Sequence, residues 1–122
     1  MLRISDMAQS TRFYTEILGM KLLRILEQPK EKYTLLFFGY AAESQSAVIE
    51  LTYNYGQTKY DMGNGFGHIA IGVEDIKKTI HLIKILGHPI DLAPKKLKGS
   101  HETIAFITDP DGYKIELIER IS

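Results

Sequence analysis

The stretch "YKIELIER", residues 113–120, places Glu116 between an isoleucine and a leucine in a run that otherwise predicts a buried strand. The stretch "AVIELTYN", residues 47–54, repeats the pattern and places Glu50 between the same two residue types. Burial of an ionised carboxylate is strongly unfavourable unless the group is protonated or finds a partner. The repetition therefore indicates that both carboxylates need a partner or a ligand.

The two halves of the chain show the same order of predicted elements. The segments "MLRISDMAQSTRFYTEILGMKLL" and "HIAIGVEDIKKTIHLIKILGHPI" each predict a short strand, an acidic residue, a helix and a Leu-Gly stop at Gly19 or Gly87. Apolar residues at helical spacing are expected to face a sheet: Met7, Phe13, Ile17 and Leu18 in the first helix, and Ile76, Ile80, Ile83 and Leu86 in the second.

Three strands are predicted after each helix, at 21–28, 33–40 and 47–54 and then at 88–93, 102–109 and 113–120. The turn "DPDGY" joins the last two as a hairpin, and its Asp-Gly pair is expected to supply positive φ angles. Each half is therefore a βαβββ module, and the predicted fold class is α+β with two curved mixed sheets.

The chain of 122 residues is expected to be a single domain that consists of module 1 (1–58) and module 2 (66–122). A segment rich in glycine and tyrosine joins the modules. Matching Asp6 to Asp75 also predicts that the first strand of module 1 is shortened at the N-terminus.

Composition excludes several classes of function. Fifteen basic residues balance fifteen acidic ones without a long block of either sign, which argues against a nucleic-acid partner. The chain has no cysteine, so disulfides and thiolate metal sites are excluded. No signal-peptide pattern and no apolar run of membrane-spanning length are present. We therefore expect a cytoplasmic protein without a membrane partner.

Strand alternation suggests a metal site. The apolar neighbours of Glu50 and Glu116 are expected to face the helix of each module, so both carboxylates face the opposite side of their sheets. His68 opens the first strand of module 2 in the apolar stretch "GFGHIAI". Two carboxylates and an imidazole that face one cavity suit a divalent metal.

Simpler interpretations stay open for these residues. A single glutamate in a strand is more often at a solvent edge than bound to metal, and a single histidine such as His68 is more often hydrogen-bonded in a core. The other three histidines, His81, His88 and His101, fall on predicted helix or loop surfaces and are not expected to bind metal.

The stretches "FYTEILGMKLLR", "VIELTYNYG", "FGHIAI" and "DPDGYKIELIE" together resemble the vicinal-oxygen-chelate superfamily, and within it glyoxalase I (lactoylglutathione lyase) of the short bacterial type. The resemblance covers nearly the whole chain. It implies a homodimer with active sites at the subunit interface. It also implies a metal with four protein ligands, of which Glu50, His68 and Glu116 match this chain, and the internal repeat puts the fourth upstream of Met1.

The resemblance implies isomerisation of the methylglyoxal–glutathione hemithioacetal to S-lactoylglutathione, with Glu116 as the base. It implies one divalent metal per site, Ni²⁺ or Co²⁺ in preference to Zn²⁺, with glutathione as co-substrate. Arg3, Asn54 and Lys98 match positions that bind the glutathione part of the substrate, and His68 also lines that site.

Two rivals of the same fold are a drug-sequestering binding protein and a ring-cleaving dioxygenase. The absence of one ligand favours the former, whereas the paired glutamates favour the lyase. A dioxygenase would want a His-His-Glu set, of which only His68 and Glu116 are present. A lyase impaired by loss of the N-terminal ligand is a further alternative.

Overall fold

The computed structural model describes residues 1–120 of the chain. These residues form two compact units, residues 1–62 (unit 1) and 63–120 (unit 2). None of the helices within the described part has the length and apolar character that a membrane-spanning helix needs.

Unit 1 is a four-stranded mixed sheet with one helical segment. Its elements are β1 (Leu2–Ile4), α1 (Met7–Arg12), a π-helical turn (Phe13–Ile17), β2 (Lys21–Gln28), β3 (Tyr33–Gly39) and β4 (Ile49–Asn54). The strand order is β1-β4-β3-β2, in which β1 is parallel to β4 and the other pairs are antiparallel.

Unit 2 repeats this plan. Its elements are β5 (His68–Val73), α2 (Ile76–Ile85), β6 (Leu92–Lys96), β7 (Thr103–Thr108) and β8 (Lys114–Glu119). The strand order is β5-β8-β7-β6, with β5 parallel to β8 and the other pairs antiparallel. Two βαβββ units with mixed sheets confirm the predicted α+β fold class.

Each helical segment follows an acidic residue and is followed by a Leu-Gly pair, as the sequence predicted. Asp6 caps α1 by accepting a hydrogen bond from the Gln9 amide, and Asp75 caps α2 by accepting one from the Lys78 amide. Gly19 and Gly87 adopt φ angles of 72° and 79°. That left-handed conformation favours glycine, which explains the Leu-Gly stops.

The first helix departs from the predicted pattern. The Leu18 amide donates to the Phe13 carbonyl at 3.0 Å, an i to i−5 bond that widens the last turn. The widened turn buries Phe13 and Tyr14 together, while Met7 stays 36% exposed. In α2 the predicted face is right for Ile76, Ile80 and Ile83 and wrong for Leu86, which is exposed.

The second predicted strand of module 2, 88–93, is displaced, since β6 begins at Leu92. In the segment before β6, a side-chain contact holds the chain: the His88 ring lies 2.9 Å from the Thr108 carbonyl. Pro94 is tolerated within β6 because β6 is an edge strand with an irregular register between Leu92 and Lys95.

The "DPDGY" turn forms the predicted hairpin between β7 and β8. Gly112 alone supplies a positive φ angle, 91°, so the expectation that Asp111 shares this conformation is wrong. The buried Asp109 carboxylate instead closes the turn by accepting hydrogen bonds from the amides of Asp111 and Tyr113.

Candidate functional site

Contacts with the helices fix the direction of both predicted carboxylates. In unit 2, Glu119 accepts a hydrogen bond from the Ile76 amide at the start of α2, so Glu119 faces the helix. Glu116, three residues earlier on the same strand, therefore faces the opposite side. We call this side of each sheet, turned away from its helix, the inner face. On β8 it carries Lys114, Glu116 and Ile118.

The inner face of unit 1 follows from an aromatic contact. The Tyr14 ring lies 5.7 Å from the ring of Phe38, which is level with Ile49 in the neighbouring strand. Ile49 therefore faces the helix. Alternation then puts Glu50 on the inner face, as the sequence predicted, together with Thr52 and Asn54.

Unit 2 brings two predicted ligands into contact. His68 Nε2 lies 3.4 Å from Glu116 Oε1. The parallel register sets Ala70 level with Glu116, so His68 stands two residues away on the same face of the adjacent strand. The Glu116 side chain is 14% exposed and that of His68 is 42% exposed. The apolar stretch around His68 therefore does not bury its imidazole, which is open to a ligand.

Each carboxylate has a phenylalanine beside it that the sequence analysis missed. Phe37 is level with Glu50, and Phe106 is level with Glu116. The His68 ring meets Phe106 edge to face at 5.2 Å. Aligning "TLLFFG" with "TIAFIT" would have found this pair, because both stretches precede the glutamate strands in the repeat.

Unit 1 places a cation over its own phenylalanine. The Arg24 guanidinium lies 3.6 Å above the Phe37 ring, and its Nε lies 3.0 Å from Glu43 Oε1. Both side chains of this ion pair are 40% exposed or more. The neighbourhood of Glu50 is thus an aromatic ring covered by a paired guanidinium.

The donor set matches part of a metal site. Within residues 1–120 no three His, Asp or Glu side chains converge closely enough to hold a cation. One imidazole nitrogen and one carboxylate oxygen do converge, at His68 and Glu116, and both donor types suit Ni²⁺, Co²⁺ and Zn²⁺. The structure therefore brings two of the three predicted ligands into contact within unit 2, and the third, Glu50, belongs to unit 1.

The predicted substrate-binding residues lie in both units. Arg3 on β1 is level with Thr52, so it shares the inner face of unit 1 with Asn54. Asn54 Nδ2 donates to the Tyr60 hydroxyl at 3.2 Å, a contact that the sequence gave no signal for. Lys98 lies exposed in the turn between β6 and β7 of unit 2.

The three histidines that were not expected to bind metal lie elsewhere. His81 and His101 are exposed, the first on α2 and the second in the loop before β7. His88 contacts the Thr108 carbonyl.

Comparison with known proteins supports one family. The family model "Glyoxalase/Bleomycin resistance protein/Dioxygenase superfamily" matches residues 1–117. A probable lactoylglutathione lyase of Vibrio parahaemolyticus is 55% identical over 119 residues, which cover 98% of this chain and 86% of the relative. The probable chloroplastic lactoylglutathione lyase of Arabidopsis thaliana is 55% identical over 118 residues, which cover 97% of this chain and 34% of the relative.

A solved structure gives the same result for the fold. The crystal structure of glyoxalase I from Zea mays superposes with a TM-score of 0.94 at 47% identity, covering 99% of this chain and 43% of the maize chain. This chain thus spans about a third of the Arabidopsis relative and less than half of the maize enzyme. The resemblance drawn from the sequence is confirmed: the chain belongs to the glyoxalase/bleomycin resistance protein/dioxygenase superfamily and, within it, to the lactoylglutathione lyase family.

Proposed function

We infer that this chain is a lactoylglutathione lyase that converts the hemithioacetal of methylglyoxal and glutathione to S-lactoylglutathione. The observation that carries the inference is the match to lactoylglutathione lyases over nearly the whole chain. Contact between His68 and Glu116 on the inner face of unit 2 supports it, since the matched residues stand together on a surface open to a ligand.

Glu116 is the residue that moves the proton. It removes the proton from C1 of the hemithioacetal and returns it to C2, so the reaction needs no redox cofactor. The flanking Phe106 and Ala70 keep much of the carboxylate away from water, while its orientation toward the inner face leaves it open to substrate. A carboxylate in this setting acts as a general base when the substrate carbon lies within reach.

Glu50, His68 and Glu116 are proposed as metal ligands. Together these side chains would hold a divalent cation, which would supply Lewis acidity for the reaction when bound. We favour Ni²⁺ or Co²⁺ over Zn²⁺, and titration of metal-free protein with each ion, read by calorimetry and by turnover, decides among them.

A fourth ligand is proposed at the position two residues before Met1. Leu2 is level with Leu51 in unit 1, as Ile71 is level with Leu117 in unit 2. The counterpart of His68 therefore precedes Met1 by two positions. Adding residues that place a histidine there is expected to raise metal affinity and stoichiometry, and an extension with alanine at that position is the matched control. Equal metal binding by the two extended chains would refute the fourth ligand.

A homodimer with active sites at the subunit interface is proposed as the assembly. The proposal rests on the membership of this chain in the lactoylglutathione lyase family, whose resemblance implied this assembly. Sedimentation is expected to show a dimer, and a monomer with full activity would contradict this arrangement. The cytoplasmic location stays a prediction.

Three polar residues are proposed to bind the glutathione part of the substrate. Arg3 and Asn54 suit the γ-glutamyl end because they share one inner face and offer a cation beside an amide. The Tyr60 hydroxyl holds the Asn54 amide in place. Lys98 suits the glycyl end.

One assay tests the proposed function against its rivals. Methylglyoxal and glutathione are combined with the protein and added Ni²⁺, Co²⁺ or Zn²⁺, and formation of the thioester is followed by absorbance. A lyase produces thioester in proportion to enzyme and loses activity on chelation. A binding protein of the same fold binds ligand without turnover, and that result would overturn the proposal.

A further inference from the structure

The end of β8 carries an arginine that the proposed mechanism does not use. The Arg120 amide donates to the Val73 carbonyl at 2.7 Å, which continues the pairing of β8 with β5 by one residue. Alternation along the strand places Arg120 on the same face as Glu116 and Ile118. The arginine therefore belongs to the inner face of unit 2.

Gly72 makes room for this side chain. A Cβ atom at Gly72 would lie 2.7 Å from Arg120 Cδ and 3.0 Å from Cγ, closer than real Cβ contacts allow. Gly72 lies in a regular part of β5 and is not among the glycines with a positive φ angle, so the backbone conformation does not require glycine there. The missing Cβ of Gly72 leaves space for the aliphatic part of the Arg120 side chain.

The two units place their arginine on different strands at this position of the sheet. The registers match β1 to β5 and β4 to β8, so Arg3 corresponds to Gly72 and Asn54 corresponds to Arg120. In unit 1 the cation stands on the edge strand next to an amide at the end of β4. In unit 2 the edge strand carries glycine, and the cation reaches the same place from the end of β8. Both inner faces thus present a guanidinium at equivalent positions.

Arg120 has the electrostatic setting of an anion-binding residue. It is exposed, and it forms no ion pair with any side chain of residues 1–120. Four residues are level with one another across the four strands of this sheet: Gly72, Ile118, Ile104 and Lys95. Lys95, at the end of this row, is a second exposed cation. An unpaired guanidinium in a row with another cation favours a carboxylate ligand.

The distance from the reacting carboxylate suits one substrate molecule. Gly72 is two residues beyond Ala70, which is level with Glu116, so the two rows are about 7 Å apart along the strand. A hemithioacetal whose reacting carbon lies at Glu116 can therefore extend a peptide carboxylate toward Arg120.

We propose that Arg120, in the space left by Gly72, binds a carboxylate of the glutathione part of the substrate. The inference rests on the proposed function, and it adds a specificity-determining contact on the same face as the reacting pair. Glutathione has a glycyl and a γ-glutamyl carboxylate, and esters of each distinguish them.

The experiment combines variants of the protein with variants of the ligand. Arg120→Ala, Arg120→Lys and Gly72→Ala are compared with wild type for calorimetric binding of S-hexylglutathione, its two monoesters and its diester. Arg12→Ala, an exposed helix arginine paired with Glu16, is the matched control. Arg120→Ala is expected to weaken binding of the diacid about tenfold, the factor that corresponds to 1.4 kcal/mol. Gly72→Ala acts in the same direction because its methyl group displaces the arginine, and Arg120→Lys loses less.

The esters identify the contact. Wild type and Arg120→Ala are expected to have the same affinity for the diester. They are also expected to have the same affinity for the monoester in which the carboxylate that contacts Arg120 is esterified. Arg120→Ala is expected to raise KM more than it lowers kcat in the thioester assay. An equal loss with all four ligands, or no loss with the diacid, would overturn the contact. Binding is read without turnover, so an inactive wild type refutes the proposed function while the ester comparison still decides the role of Arg120.

Discussion

The two units share one backbone plan and differ in the side chains on their inner faces. In unit 2 an imidazole lies 3.4 Å from the Glu116 carboxylate. In unit 1 a phenyl ring is level with the equivalent Glu50, and an ion-paired guanidinium covers that ring. Unit 1 adds the polar pair Arg3 and Asn54. One scaffold, used twice, thus carries an imidazole next to a carboxylate in one copy and a guanidinium stacked on a phenyl ring in the other.

The largest expected difference between the two units is in the loss of kcat when each glutamate is replaced by glutamine. Glu116→Gln is expected to lower kcat by about a thousandfold, within the range for loss of a general base, because an amide cannot accept the proton. Glu50→Gln leaves the proposed base in place and is expected to lower kcat less. Turnover is measured by thioester absorbance with metal in excess.

The glutamate pair contains its own control. Both substitutions keep the shape of the side chain and occupy matching positions beside Phe106 or Phe37. Circular dichroism verifies that both variants fold. Equal losses of kcat in the metal-loaded variants would mean that the two carboxylates act alike, and the assignment of the base to Glu116 would then be wrong.

Most of the backbone plan was predictable from the sequence because its signals are local. The Leu-Gly stops and the alternating strands depend on residues a few positions apart, and the structure confirms them. The start of β6 was not predictable in this way. It depends on His88 reaching Thr108, a contact between residues distant in sequence, and on the tolerance of an edge strand for Pro94.

The candidate site was predictable from the sequence only in its polar residues. The repeated "IEL" identified Glu50 and Glu116, since a carboxylate between apolar neighbours is conspicuous. Phe37 and Phe106 were missed because a phenylalanine in a strand is ordinary, and only the register shows that each one stands beside a glutamate. The contact between Asn54 and Tyr60 depends on the path of the joint after β4, which carries no periodic signal.

Metal affinity provides the next test of the difference between the units. His68→Ala is expected to weaken Ni²⁺ or Co²⁺ binding by at least about tenfold, because even loss of an outer partner of a metal ligand has an effect of that size. His81→Ala, which changes an exposed histidine of α2, is the matched control. Calorimetric titration of the metal-free proteins gives both affinities, and an unchanged affinity in His68→Ala would remove His68 from the ligand set.

Helix capping is expected to show a smaller contrast. Asp6→Ala should lower the free energy of unfolding by about 1 kcal/mol, the usual effect of losing an N-cap acceptor. Asp75→Ala should have a smaller effect because Glu119 still accepts a hydrogen bond from the Ile76 amide. In unit 1 the position of Glu119 is held by Tyr53, which lacks a carboxylate.

Urea unfolding of the capping variants measures this contrast. Asp6→Ser and Asp75→Ser keep an acceptor at the cap and are expected to remain near wild type. Equal losses in the two alanine variants would show that the Glu119 contact does not support the start of α2.

The smallest expected effect concerns the ends of β3 and β7, which the two units close differently. The register matches Tyr40 to Asp109. Asp109 accepts amide hydrogen bonds, whereas the Tyr40 hydroxyl donates to the Leu18 carbonyl at 2.5 Å. Burial raises the pKa of the Tyr40 phenol above its ordinary value of 10.0. The folded chain therefore holds this proton more tightly than the unfolded chain does.

It follows that the contribution of Tyr40 to stability is complete below the unfolded pKa and is lost as the pH rises through the folded pKa. Tyr40→Phe lacks both the hydrogen bond and the titrating group. The stability advantage of wild type over this variant, measured by urea unfolding, is expected to narrow between about pH 10 and about pH 12. A constant difference over that range would show that the hydroxyl is equally protonated in both states, and the contrast with Asp109 would then be one of hydrogen-bond geometry alone.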